Sequence, residues 1–296
     1  DDDAYTVMRK AEFAQTPNFT DLQAEYAASI RKLSKWELHG KIREIQWPYQ
    51  LYYLGTILSV IAATAGLLID QPALLIGAMI IAPQASSALA APAGVMLGDW
   101  DLFTHSIKEQ ALSLGLAVVA ASLFGWFLKW SGFVPSDLAI TQIDLVSLRL
   151  SPTLLSTVGA LISGIVGAFG YTTEQSASLI GVMIAAALIP AAAAIGLAVA
   201  WAAPVFGFGA LLLLLVNVLA INIGAFLTLT AMGYQPKWIA TGDSLRESIP
   251  SERRLLVYAT LACVLVATVG TAYFTGTNIM FTREVNEEVE ATHSQP

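Results

Sequence analysis

Residues Leu75–Ala82 read LIGAMIIA, and residues Leu179–Ala186 read LIGVMIAA. The octets lie 104 positions apart (179 minus 75). Two apolar octets carry little weight in a hydrophobic chain, so the test is to hold that offset and extend it without gaps. Pro48 then meets Pro152, Leu51 meets Leu155, Gly55 meets Gly159, Ser59 meets Ser163, Ile61 meets Ile165, Gly66 meets Gly170, Gln71 meets Gln175 and Ala73 meets Ala177. With the matches inside the octets this makes 14 identities over the 35 positions 48–82, far more than composition supplies. The chain contains a duplicated unit.

Composition says what kind of unit it is. Of 296 residues, 56% are hydrophobic and only 12% charged, with a mean hydropathy of +0.65, whereas soluble domains carry about 25% charged residues. Uncharged runs near or above the length that crosses a bilayer lie at 51–69, 73–97, 110–128, 154–173, 177–203, 205–232 and 255–275. The expected fold class is all-α, a polytopic membrane protein of about seven transmembrane helices. The expected organisation is an N-terminal segment (1–50), repeat 1 (51–130), a loop (131–153), repeat 2 (154–232), a second loop (233–254), a seventh helix (255–276) and an acidic tail (277–296). Each repeat holds three spans, an odd number, so the second copy enters the membrane from the opposite side. This is a 3+3 inverted repeat, a plan used by many secondary transporters.

Charge sets the expected orientation. Twelve of the 15 Lys and Arg residues fall on one side of such a topology, and only Lys129, Arg149 and Arg283 on the other. The positive-inside rule places the N-terminus in the cytoplasm of a cell-membrane protein and the C-terminus outside. Ahead of the first span, residues 20–47 read as an amphipathic helix with a Thr20–Gln23 capping box. Its basic face and Trp36, Trp47, Tyr49, Tyr52 and Tyr53 suit the headgroup layer. Packing on the protein's own loops or on a neighbouring subunit suits it equally. The chain begins Asp-Asp-Asp, with neither an initiator Met nor a signal peptide, and so reads as a trimmed or partial chain.

The candidate site follows from two prolines. Proline lacks the N–H that an α-helix needs and clashes with the carbonyl four residues earlier. Pro83 should therefore disturb the second span at Met79, and Pro190 the fifth span at Ala186. Paired interruptions of this kind are the best sequence pointer to a transporter's binding region. Gln84, Ser86 and Ser87 follow Pro83 directly, and Asn217 and Asn222 are the other strongly polar groups at membrane depth. Pro83, Gln84, Ser86, Ser87, Pro190, Asn217 and Asn222 are thus the candidate pathway residues. Each also has a plainer role to weigh, because membrane Ser and Asn glue helices together and prolines kink them. Gly55, Ser59 and Ala63, with Gly159, Ser163 and Gly167, form matching small-residue ridges expected to pack helices closely. Asp70, Glu174 and Glu109 stand at span edges as candidate gates.

Other chemistries find little support. No acidic or basic residue lies well inside a span, which argues against a carboxylate-driven proton relay. Gly242–Leu245 reads GDSL, but it lacks a preceding strand and triad partners, and Ser244 with Glu247 is more simply a capping box. Asp101 and His105 lack further metal ligands, and the lone Cys263 allows no disulfide within one chain. No cofactor, metal, nucleic-acid or enzyme signature appears.

The stretch LLIGAMIIAPQASSALAAPAGVMLGDWDLF, residues 74–103, resembles the hydrophobic domain of a prokaryotic membrane family, domain of unknown function 389. The shared marks are the LIGAM-type octet, the proline after it, a run of small residues and then the Gly98–Asp99 pair. The resemblance covers about residues 48–232 and implies a multi-spanning membrane protein with no established activity. Gln84 stands where the family pattern leads us to expect an apolar residue. The leading expectation is a homo-oligomeric channel or secondary transporter for a small polar solute or ion. Its rival is a structural or regulatory membrane subunit that holds partners without transport.

Overall fold

Twenty residues of α-helix rise about 30 Å, the thickness of a bilayer's hydrocarbon core, and the uncharged runs fold into helices of that order. The computed structural model describes residues 33–44, 46, 48–135, 138–172 and 177–234. Helix α1 spans Lys35–Glu44, α2 Tyr49–Leu68, α3 Pro72–Ile81, α4 Gln84–Leu97 and α5 Trp100–Trp130. A connection with a 3-10 turn at Ile140–Gln142 and the short α6 (Asp144–Ser147) leads to α7 (Leu154–Thr172), α8 (Ala177–Ala200) and α9 (Pro204–Ala231). Five of these helices are long and apolar enough to cross a membrane. The pair α3 and α4 makes a sixth candidate span, bent by 54° at its break. The expected seventh helix, the acidic tail, Glu174, the GDSL stretch and the Thr20–Gln23 capping box lie outside the described residues.

Helix α8 is the axis of the bundle and touches α2, α3, α4, α5, α7 and α9. Its membrane-crossing stretch is 72% buried inside the protein, against 28% for that of α5, so the outer helices present most of their surface to lipid. Leu51, Leu54 and Leu58 on α2, and Leu123, Trp126 and Phe127 on α5, form such outward faces. Water offers no drive to pack these helices together inside a bilayer, so close backbone approach takes its place. A Cβ at Gly164 of α7 would collide with the carbonyl of Ile221 on α9, and one at Gly224 of α9 with the carbonyl of Leu161. These two glycines let α7 and α9 cross nearly backbone to backbone.

That crossing corrects the expected ridge on α7. Ser163 is buried but donates to the carbonyl of Gly159 within its own helix, at 2.8 Å. Gly159 is exposed, and a Cβ there would meet nothing within 4 Å. Gly167 does pack inward, where a Cβ would stand 3.2 Å from Leu89 and Ile184. On the first ridge Gly55 abuts Pro83, Ser59 is buried against α3, and Ala63 is fully buried.

The Gly98–Asp99 pair makes the corner between α4 and α5. Gly98 closes α4 in the left-handed conformation (φ 70°), which a side chain would disfavour. Asp99 then opens α5, its carboxylate accepting from the Leu102 N–H at 2.9 Å. The second carboxylate oxygen meets His39 Nε2 at 3.0 Å and ties α1 to this corner. Helix α1 opens with its own capping box, in which the Ser34 N–H donates to Glu37 at 2.7 Å and the Glu37 N–H to Ser34 Oγ at 3.2 Å. Leu38 and Ile42 are buried against the bundle while Trp36 is 86% exposed, so α1 packs on the protein and turns one aromatic outward.

Candidate functional site: a buried polar cluster at the broken span

Pro83 cannot continue α3, and the chain restarts as α4 one residue later. The break leaves carbonyls at the end of α3 and N–H groups at the start of α4 without helical partners. In lipid such groups must be satisfied by protein or by water. Helix α2 supplies part of the answer, because Ser59 Oγ donates to the carbonyl of Ala78 at 2.7 Å. Gly55, one turn earlier, makes room for the Pro83 ring, which would lie 3.4 Å from a Cβ there.

Gln84, the first residue of α4, is fully buried and points into a set of hydroxyls. Its Nε2 donates to Thr56 Oγ1 at 3.0 Å, and Thr56 in turn donates to the carbonyl of Tyr52 at 2.9 Å. Its Oε1 accepts from Ser113 Oγ at 3.3 Å and lies 3.4 Å from Tyr52 Oη. Tyr52 Oη also pairs with Ser87 Oγ at 2.7 Å and Ser113 Oγ at 3.2 Å, and so is the hub of the cluster. Three helices contribute: α2 gives Tyr52 and Thr56, α4 gives Gln84 and Ser87, and α5 gives Ser113. Every member is buried, and none carries a formal charge. Four oxygens and an amide gathered this way can bind a hydrogen-bonding solute or replace part of an ion's hydration shell. They supply no acid, base or nucleophile of catalytic pattern.

The sequence expectations fare unequally here. Pro83, Gln84 and Ser87 converge at the break. Ser86 is buried beside them but donates only to the carbonyl of Pro83, at 3.0 Å. Pro190 makes no break, and α8 runs through it from Ala177 to Ala200. The expected pair of interruptions is therefore a single one. Asn217 of α9 reaches this turn, where its Nδ2 donates to the carbonyl of Ala187 at 2.8 Å, next to the Ala186 carbonyl that Pro190 leaves without a helical donor. Its Oδ1 is buried without a partner. Asn222 is partly buried and donates to the carbonyl of Val218 in its own helix, at 2.7 Å, away from the cluster.

The candidate gates separate as well. Asp70, at a positive φ of 52°, accepts from the Leu145 N–H at 3.0 Å and so pins α6 to the turn between α2 and α3. Glu109 lies within the long helix α5. Tyr52 was expected in the headgroup layer, yet it is the buried centre of the site. Its spacing carried the missing signal: Tyr52, Thr56, Ser59 and Ala63 follow i, i+4, i+7, i+11 and share one buried face of α2. Thr56 and Ser113 were missed because single hydroxyls are common in apolar helices. Among the described residues no three His, Cys, Asp or Glu side chains gather as metal ligands.

At the corner beneath the cluster, burial works to raise the Asp99 carboxyl, but the Leu102 N–H and the His39 ring outweigh it and hold it below the usual carboxylate range. In the loop before α7, desolvation pulls the Arg149 guanidinium below its ordinary value, and its Nε is sealed without a partner.

These features define a multi-pass α-helical membrane protein with one broken span and a neutral polar centre at the break. Residues 79–223 match the family described as domain of unknown function (DUF389), so the chain carries a DUF389 domain. It is 34% identical over 208 residues to "Uncharacterized protein MJ0678" of Methanocaldococcus jannaschii, a match covering 70% of this chain and 62% of that protein. No solved structure matches the chain.

Proposed function

We propose that the protein is a secondary transporter or channel for a small polar solute or ion, with its site at the break between α3 and α4. The observation that carries this reading is the charge-free cluster around Tyr52 and Gln84, buried at the one interrupted candidate span among the described residues. Polar groups are costly at that depth, and broken helices that line a site are a recurring way to place them there. Every side chain of the cluster is buried, which fits an occluded conformation of an alternating carrier better than a wide standing pore.

The duplicated sequence supports a 3+3 inverted arrangement, with α2–α5 as one module and α7–α9 as the other. Ser113 and Asn217 are themselves 104 positions apart, and each reaches the middle helix of its own module, at Gln84 and at Ala187. Those targets differ from the same offset by one residue. The bias of basic residues supports a cytoplasmic N-terminus. Gly159 lies on the outer face of α7 beside the exposed Leu155, Val158 and Ile162, an apolar surface that suits a second copy of the chain as well as lipid. The rival reading, a scaffolding subunit, is favoured by the sealed packing of the same cluster.

Flux of labelled small solutes and ions into proteoliposomes separates the two readings. A species carried by the native protein and lost in Gln84→Leu, with Asn222→Leu unchanged, is the expected result. Flux indifferent to Gln84→Leu removes the cluster from the pathway, and absence of any carried species favours the scaffold.

A further inference from the structure

Helix α5 carries more polar side chains than the cluster uses. Ser106, Gln110 and Ser113 are spaced by four and then three residues, so they line one face of the helix. All three are almost wholly buried, at 0%, 3% and 0% exposure. Ser113 belongs to the cluster, and its hydroxyl also lies 3.0 Å from the carbonyl of Gln110. Ser106 Oγ and Gln110 Nε2 have no hydrogen-bond partner at all. Leaving a buried donor unpaired costs about 1–3 kcal/mol, so two on one face call for an explanation.

The neighbouring helix adds an acceptor. Helix α4 packs along α5 and contains Pro92, which has no N–H to give the carbonyl of Ala88. Ala88 is itself fully buried. At the end of this stripe stands the Asp99 corner, where the helices come so close that a Cβ at Gly94 would lie 2.7 Å from the Phe103 nitrogen. From Asp99 to Ser113 the helix climbs fourteen residues, or about 21 Å. Ser106, Gln110 and Ser113 therefore form a buried polar stripe that leads from the α1 half of α5 up to Gln84, and its first two members are unpaired.

We propose that this α4–α5 seam holds a single file of water, which satisfies Ser106, Gln110 and the Ala88 carbonyl and links the α1 end of the bundle to the Tyr52–Gln84 cluster. Buried water commonly makes about three hydrogen bonds to polar groups that would otherwise be unpaired. The file ends at the cluster, because the next positions on the same face, Ala117 and Ala121, are apolar and fully buried, and Ala121 is wedged against Gly196 of α8. If the cluster is the transport site, this file is one half of the route to it. Only that role rests on the proposed function.

The test uses single-cysteine chains in lipid nanodiscs, with Cys263 replaced by serine so that the introduced thiol is unique. Ser106→Cys, Gln110→Cys and Ala117→Cys are each treated with silver ion, which is small enough to follow water, then denatured and labelled with a maleimide. The expected result is loss of most of the label at Ser106→Cys and Gln110→Cys, with Ala117→Cys labelled as fully as its untreated control. Equal labelling at all three positions, whether full or absent, overturns the proposal. Ser106→Cys exchanges one atom and carries the test alone if Gln110→Cys does not fold. The assay reads water access directly, so it can fail while Gln84-dependent flux stands, and can succeed where no flux is found.

Discussion

Tyr52 and Gln84 touch and share Ser113 as a partner, so the structure makes them coupled contributors, and a double-mutant cycle tests this. Tyr52→Phe removes one short hydroxyl contact, 2.7 Å to Ser87, and one longer contact, 3.2 Å to Ser113. The 3.4 Å approach to Gln84 is beyond the usual O–H···O range and contributes little. Both serines keep an alternative acceptor, Ser87 the carbonyl of Gln84 at 3.3 Å and Ser113 that of Gln110 at 3.0 Å. Hydrogen bonds between membrane helices average about 0.6 kcal/mol and reach about 1.7, so Tyr52→Phe should cost about 1–2 kcal/mol. Gln84→Leu loses the 3.0 Å donation to Thr56 and the 3.3 Å contact from Ser113, while Thr56 keeps its bond to the Tyr52 carbonyl. That change should cost about 1 kcal/mol. The double variant should then depart from the sum by about 0.5 kcal/mol or more, as for residues that share one hydrogen-bond network. Reversible unfolding in mixed micelles, followed by circular dichroism, measures all four corners. Strictly additive losses, or single variants as stable as the parent, would refute a shared cluster centred on Tyr52.

Two further outcomes follow from packing and charge. Gly164→Ala places a methyl 2.8 Å from the Ile221 carbonyl carbon and 2.9 Å from its Cα, so α7 and α9 must part; a loss of about 1–3 kcal/mol is expected in the same unfolding assay. Gly159→Ala, with nothing within 4 Å, should stay within about 0.5 kcal/mol of the parent, and equal losses at the two sites would contradict the crossing described above. Asp99→Ala removes the α5 cap at a cost of about 1 kcal/mol at pH 7. Because the folded carboxyl sits below its ordinary value, its contribution is present above about pH 4, where an unfolded Asp ionises, and fades as the pH falls through the lower folded value. Melting curves of parent and Asp99→Ala should therefore converge in acid, and a gap that persists unchanged at pH 2 would contradict a charge-assisted cap.

The features legible in the sequence were those set by backbone chemistry. Among the described residues, the first six of the seven uncharged runs correspond to five candidate spans and one bent helix pair, because only a helix satisfies its own backbone in lipid. Pro83 marked the break, since Gln84 restarts a helix on its far side, and the Gly98–Asp99 pair is a left-handed stop followed by a cap. The misreadings concern which way a side chain faces. Tyr52 at a span end suits a headgroup layer as well as a core, and only the buried face it shares with Thr56 and Ser59 decides between them. Gly159 continued a four-residue rhythm, but Gly164 and Gly167 carry the inward face of α7. Pro190 has the same chemistry as Pro83, yet Ala185, Ala186 and Ala187 before it and Ala191 to Ala194 after it favour helix on both sides. No local signal announces the amide of Asn217 arriving from 27 residues further along the chain (217 minus 190).

The unequal fate of the two prolines bears on how the proposed transporter would work. An inverted pair of modules alternates by exchanging conformations, so whatever one middle helix does in one state the other must do in the opposite state. At the break of α3 and α4 the Ala78 carbonyl has a partner from α2, and the Pro83 carbonyl one from Ser86. At the matching place in α8 the helix is intact, and Asn217 reaches the Ala187 carbonyl beside the proline through a single hydrogen bond. The same residue type thus stands at a break in one module and inside an intact helix in the other. If the modules are the inverted pair proposed above, that unlikeness is what a carrier held in one of its two conformations requires.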